Sequence, residues 1–182
     1  MEEKRSFTEG VKEFVKFLVI ASAIALPVRY FVAQPFIVRG ASMQPNFENN
    51  EYLIIDELSY FFHEPKRGEV VVFHYPLDTR QYFIKRVIGL PGEKVEIKDG
   101  KVMVHKIGEE KGLLLKESYL PEGLKTEGDT TLTLGPADYF VLGDNRSQSS
   151  DGRFWGALPR RLIVGRALFR AWPVTRAGTL DN

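Results

Sequence analysis

From Phe36 onward the chain is a succession of short runs rich in β-branched and aromatic residues, each cut off by turn formers within a few positions. Runs of that length and composition read as strands of an antiparallel architecture. They cover Phe36 to Val38, Tyr52 to Ile55, Glu69 to His74, Gln81 to Ile88, Val95 to Ile97, Lys101 to Val104, Tyr139 to Leu142 and Ile163 to Phe169. Asp99-Gly100 separates two of them and is the signature of a type I′ hairpin, whose two central residues both need positive φ. The expectation is an all-β domain over residues 32–182, built of antiparallel sheets. Ile107 to about Asp129 has weaker β character and is rich in Gly, Glu and Lys, so it reads as exposed, and the hairpin-bearing part at about 98–137 reads as a small insertion.

The N-terminal part obeys a different rule. Phe14 to Phe31 is largely apolar and as a helix would reach roughly 27 Å, close to the thickness of a bilayer core. Lys16 and Arg29 sit near its ends, where long basic side chains snorkel to headgroups, and Pro27 would kink the outer turn. The expectation is a single transmembrane anchor over residues 14–31. Lys4, Arg5, Lys12 and Lys16 then place residues 1–13 in the cytoplasm and the β domain outside the cell membrane. A cleaved leader shares this general layout, but the small-residue triplets Ala21-Ser22-Ala23 and Ala23-Ile24-Ala25 fall inside the apolar stretch, and Phe31-Val32-Ala33 puts a ring where a small side chain is required. A buried core helix is the remaining alternative. The chain's 182 residues suffice for one anchor and one domain. A formal net charge of +1 gives no sign of a nucleic-acid partner, and the absence of cysteine removes thiolate catalysis, disulfides and cysteine-ligated zinc.

Three segments carry candidate chemistry. Ser42 lies in Arg39-Gly40-Ala41-Ser42-Met43-Gln44-Pro45, a turn of small residues after an apolar strand, where a backbone N–H can approach a developing oxyanion. Lys85 stands in Gln81-Tyr82-Phe83-Ile84-Lys85-Arg86-Val87-Ile88, sharing a face with Phe83 and Val87 under period-two alternation. Desolvation there disfavours the ammonium, and a fall from about 10.4 to roughly 7 or 8 needs ~3 to 5 kcal/mol. The third segment, Gly143-Asp144-Asn145-Arg146-Ser147-Gln148-Ser149-Ser150-Asp151-Gly152-Arg153, is a polar loop able to set a hydroxyl beside the lysine, with Asp144 and Asp151 pairing with Arg86 and Arg153. Each segment has a plain structural reading too: an ordinary turn, an edge-strand lysine that keeps the strand from pairing, and an Asx-type turn.

These segments, in this order and together with Arg67-Gly68-Glu69-Val70-Val71-Val72-Phe73, resemble the boxes of bacterial type I signal peptidases, membrane serine proteases that remove signal peptides from exported proteins. The resemblance covers nearly the whole chain. It implies that Ser42 is the nucleophile, Lys85 the general base, Ser149 the hydroxyl that orients the lysine, and Arg86 with Asp144 a supporting ion pair. It also implies a preprotein substrate extended against the strands before Ser42 and Lys85, with Phe36, Val38, Met43 and Ile84 around shallow pockets for small side chains such as Ala one and three positions before the cut. No metal or organic cofactor is implied; the lipid bilayer is the other partner. Two departures stand out. Some relatives carry a serine two residues before the nucleophile where this chain has Gly40, so the oxyanion would be held mainly by backbone N–H groups, that of Ser42 among them. Ser147-Gln148 and Gly152 also differ from the commonest family text.

His63, His74 and His105 offer no convincing Ser-His-Asp triad. Tyr60-Phe61-Phe62 and Trp172 fit either a lipid interface or core packing. Two rivals remain: another Ser-Lys protease of related fold, such as self-cleaving transcriptional regulators, and a membrane-tethered β-rich binding module without activity.

Overall fold

The computed structural model describes residues 2–27, 33–109 and 111–180. Its β part consists of β1 (Ala33–Ile37), β2 (Tyr52–Asp56), β3 (Val70–Tyr75), β4 (Asp78–Gly89), β5 (Lys94–Lys98), β6 (Lys101–His105), β7 (Leu113–Leu114), β8 (Thr130–Thr133), β9 (Asp138–Leu142), β10 (Leu158–Pro159), β11 (Ile163–Trp172) and β12 (Gly178–Thr179), with helices α1 (Glu2–Pro27) and α2 (Gly152–Trp155). The larger sheet runs β1-β2-β11-β3-β4-β9-β10, with β12 added to β11, and the smaller runs β7-β6-β5-β8. Every pairing among the described strands is antiparallel.

Strand β3 lies at the centre of the larger sheet. Val70 and Val72 join a cluster with Val38, Met43, Phe47, Leu53 and Ile55, while Val71 and Phe73 join another with Val87, Tyr139, Val141 and Leu158. Both faces of this strand are therefore core, which accounts for its unbroken apolar text. The smaller sheet buries a third cluster, with Ile88, Val95, Ile97, Val102 and Val104 packed against Phe140 and Leu142. Asp99 and Gly100 have φ of 52° and 77°, the double positive φ that a type I′ hairpin between β5 and β6 demands.

The pairing leaves two strand edges open. Among the described residues β1 pairs only with β2, and β4 from Asp78 to Lys85 pairs only with β3, because its partnership with β9 begins at Arg86. Four antiparallel steps separate β1 from β4, so the two strands run in the same direction, and the sheet curls far enough to bring the Phe36 and Tyr82 rings together edge to face at 5.3 Å.

The sequence reading differs from this architecture in three respects. The N-terminal helix begins at Glu2, well before the expected Phe14, because Glu, Lys and Arg are good helix formers and carry the winding past the apolar run. Among the described residues no helix is long and apolar enough to cross a membrane: Lys12, Glu13 and Lys16 interrupt it on one side, and the outer end of the expected anchor, residues 28–31, lies outside the described residues. Lastly, the stretch from Ile107 to Asp129 is mostly exposed, as its composition suggests, but it adds the short strand β7 and buries Thr126 at 2% exposure against the loop after β9.

Candidate active site

The turn carrying Ser42 leaves β1 through Val38, whose N–H donates to Glu51 O at 2.9 Å, and passes Gly40, whose φ of +88° is a left-handed conformation that favours glycine. A Cβ there would meet open space, so it is backbone conformation that holds this position to glycine. The turn is then gripped from the loop after β9: Asn145 donates its backbone N–H to Ser42 O and its Nδ2 to Ala41 O, both at 3.1 Å.

Lys85 arrives from β4 opposite Val71 of β3. It is 3% exposed, and its Nζ lies 2.7 Å from Ser42 Oγ and 2.9 Å from Ile84 O. The ring of Phe83 flanks the amine at 5.3 Å. Burial pulls the Lys85 pKa down to about 8, against the upward pull of the Asp151 and Asp144 carboxylates. Both carboxylates are themselves paired with arginines. Arg86 grips Asp144 through two bonds of 2.9 and 2.7 Å and donates to Gly68 O at 2.7 Å, while Arg153 binds both oxygens of Asp151 at 2.9 Å. Such buried, bidentate pairs hold geometry, and removing one partner typically costs ~3 to 5 kcal/mol.

Ser149 is 6% exposed and its hydroxyl has no hydrogen-bond partner among the described residues, so it is not bonded to Lys85 here. It presses instead on Gly143, where an added Cβ would come within 2.1 Å of Ser149 Oγ and 2.4 Å of Ser42 O. Gly143 thus lets the loop lie flat against the backbone of Ser42. A buried hydroxyl with no partner costs ~1 to 3 kcal/mol, an unusual penalty away from a functional site.

Ser42 and Lys85 stand in a cleft of about 360 Å³ between the free edges of β1 and β4. Phe36, Val38 and Ile84 line it, over a floor made by Leu53 and Val72. Met43 does not: it is 1% exposed and belongs to the core beneath, because the residue after Ser42 turns inward against Phe47 and Leu53. Among the described residues no histidine lines this cleft; His74 bonds Thr79 O at 2.7 Å and His105 pairs with Glu96 at 3.2 Å.

Sequence reasoning missed a set of residues behind the pair. Tyr119 stacks on the Arg86 guanidinium at 4.0 Å, Glu117 forms an ion pair with the buried Arg146, and Arg146 also donates to Gly143 O at 3.0 Å. The only sequence signal was a second arginine in the polar loop, with an acidic partner 29 residues away.

A hydroxyl in contact with a buried amine, at the mouth of a cleft between free strand edges, supplies the parts that a serine endopeptidase needs. The chain belongs to the family described as "Signal peptidase, peptidase S26", a family of serine endopeptidases, which matches residues 11–172. It is 40% identical over 176 residues to "Signal peptidase I" of Leptolyngbya laminosa, covering 92% of this chain and 83% of that protein. It is 38% identical over 179 residues to "Probable signal peptidase I-1" of Synechocystis sp., covering 94% and 88%. "Signal peptidase I" of Bacillus licheniformis is 33% identical over 193 residues, covering 100% of both chains. Among solved structures, the crystal structure of a signal peptidase I from Enterococcus faecalis is similar with a TM-score of 0.48 at 30% identity, covering 57% of this chain and 97% of that one.

Proposed function

We propose that this protein removes signal peptides from exported preproteins, with Ser42 as nucleophile and Lys85 as general base. The observation that carries the reading is the 2.7 Å contact between Lys85 Nζ and Ser42 Oγ on a lysine whose burial lowers its pKa to about 8. While charged, the ammonium donates to the serine. Once neutral, its lone pair accepts the Ser42 proton as Oγ attacks the scissile carbonyl, and the resulting ammonium protonates the leaving amine. Water, deprotonated by the same amine, then releases the acyl-enzyme.

The oxyanion falls to backbone donors, the Ser42 N–H first among them, since Gly40 has no side chain to add. Ser149 takes the part of orienting the lysine, its buried hydroxyl having no other hydrogen-bond partner among the described residues. The substrate enters as a strand between β1 and β4, its backbone meeting their free edges, with Phe36, Val38 and Ile84 limiting the side chains nearest the cut to small ones such as Ala. Residues 14–31 anchor the protein in the cell membrane with residues 1–13 cytoplasmic, and the β-rich peptidase domain, residues 32–182 with its insertion at about 98–137, faces outward.

The test is cleavage of an Ala-x-Ala peptide by the full chain in detergent. Ser42→Ala and Lys85→Met are each expected to lose more than about a thousandfold in kcat/KM, as removal of a nucleophile or its base does. Parent-like cleavage by either variant overturns the mechanism.

A further inference from the structure

Asn46 lies just beyond the nucleophile turn, and its side-chain amide has two N–H donors, both engaged. One reaches Asp144 Oδ2 at 2.8 Å and the other Tyr119 O at 2.9 Å. Its backbone carbonyl is held as well, accepting from Arg170 Nη2 at 2.6 Å and Arg176 Nη2 at 3.3 Å. Those two guanidiniums flank the buried carboxylate of Glu51 at 2.8 and 2.9 Å. One residue thus touches the Arg86–Asp144 pair, the insertion and the C-terminal end of β11, while remaining part of the segment that presents Ser42.

The geometry points to Asn46 as a positioning residue for the Ser42–Lys85 pair, a role that rests on the function proposed above. Ser42 and Lys85 come from opposite walls of an open cleft, β1 and β4, which form no pairing with each other among the described residues. The 2.7 Å separation of the two side chains therefore has to be fixed by cross-links elsewhere. Asn145 grips the turn from the loop side. Asn46 ties the same turn to Asp144, which is locked to Arg86, the residue directly after Lys85. The link from nucleophile to base is thus closed through side chains.

An amide suits this place chemically. Both acceptors are oxygens and one is an anion, so the position needs two donors and no negative charge. An aspartate has the same shape but no donor, and would set a second carboxylate against Asp144. A serine keeps one donor of the two.

The experiment measures peptide cleavage by the full chain in detergent. Activity of the parent, and its loss in Ser42→Ala, establishes the proposed function first; the Asn46 variants are then compared with an active parent, so the two ideas fail separately. Asn46→Ala is expected to lower kcat by about 10- to 100-fold with KM within about twofold, since small misplacements of reacting groups cost rates of that order. Asn46→Asp is expected to fall further, and Asn46→Ser to recover part of the loss. Val104→Ala, a cavity in the smaller sheet far from the turn in sequence, is the control for lost stability. The inference is overturned if Asn46→Ala and Asn46→Asp keep kcat within twofold of the parent, if the loss appears in KM alone, or if Val104→Ala loses as much kcat for a similar fall in Tm. Should Asn46→Ala not fold, Asn46→Ser decides by the same criteria.

Discussion

Lys85 illustrates how a single side chain can serve function against stability. Its pKa of about 8 in the fold, against an ordinary 10.5, means that folding disfavours the charged form by roughly 3 kcal/mol. Below pH 8 both folded and unfolded chains carry the proton, and the fold bears the whole cost. Between 8 and 10.5 the folded lysine is neutral while the unfolded one still binds a proton, so this group's contribution to stability rises with pH over that window. Lys85→Met is therefore expected to abolish cleavage yet raise stability at pH 7, by at most about 3 kcal/mol, with the gain shrinking as pH climbs from 8 to 10.5. Denaturant titrations at pH 7 and pH 10 check both parts. On the mechanism proposed above, the same lysine sets the acid side of the activity profile: log kcat/KM should climb about one unit per pH unit and level near pH 8. A profile flat from pH 6 to pH 9 would exclude Lys85 as the base.

At the scale of elements, the polar loop between β9 and α2 works as a clamp whose fit depends on Gly143. An added methyl must displace either the Ser149 hydroxyl or the Ser42 carbonyl. Gly143→Ala should therefore cost about 100-fold in kcat, and a crystal structure of the variant should show the Ser42 turn moved away from Lys85. The loop was legible in the sequence as an ordered polar segment and Lys85 as a lysine out of keeping with its apolar strand, whereas Ser42 sat in what reads as an ordinary turn and stood out only together with the other two segments. What Ser149 touches was not legible, nor was Asn46, because its contact with Asp144 joins residues 98 positions apart and leaves no local pattern. Strands followed the same division. β3 and β4 announce themselves through long apolar or alternating runs, whereas β7, β10 and β12 have two residues each and exist only because a neighbour offers an edge. β8 reads Thr-Thr-Leu-Thr, polar enough to pass for loop until β5 is placed beside it.

For the molecule as a whole, the three core clusters are assembled from residues 36–180, and the described side chains of α1 from Glu9 to Ser22 are mostly solvent-facing. A chain beginning at Ala33 is thus expected to retain the β fold and cleave a soluble peptide with kcat within about threefold of the full chain, while losing its affinity for phospholipid vesicles. Circular dichroism, peptide turnover and vesicle flotation measure the three parts. The starting point of the helix was not legible in an apolar run, since the winding extends through charged residues that hydropathy discounts.

The free edges of β1 and β4 point along the same direction across the cleft, so one strand inserted between them pairs in the same sense with both walls. On the binding mode proposed above, that strand must bring both of its edges vacant. A helix, a hairpin or the rim of a finished sheet has already committed those hydrogen bonds and is turned away whatever its side chains. On that same binding mode, selection is thus by conformation before it is by composition: a segment whose backbone is already paired cannot enter, and a segment still unfolded can.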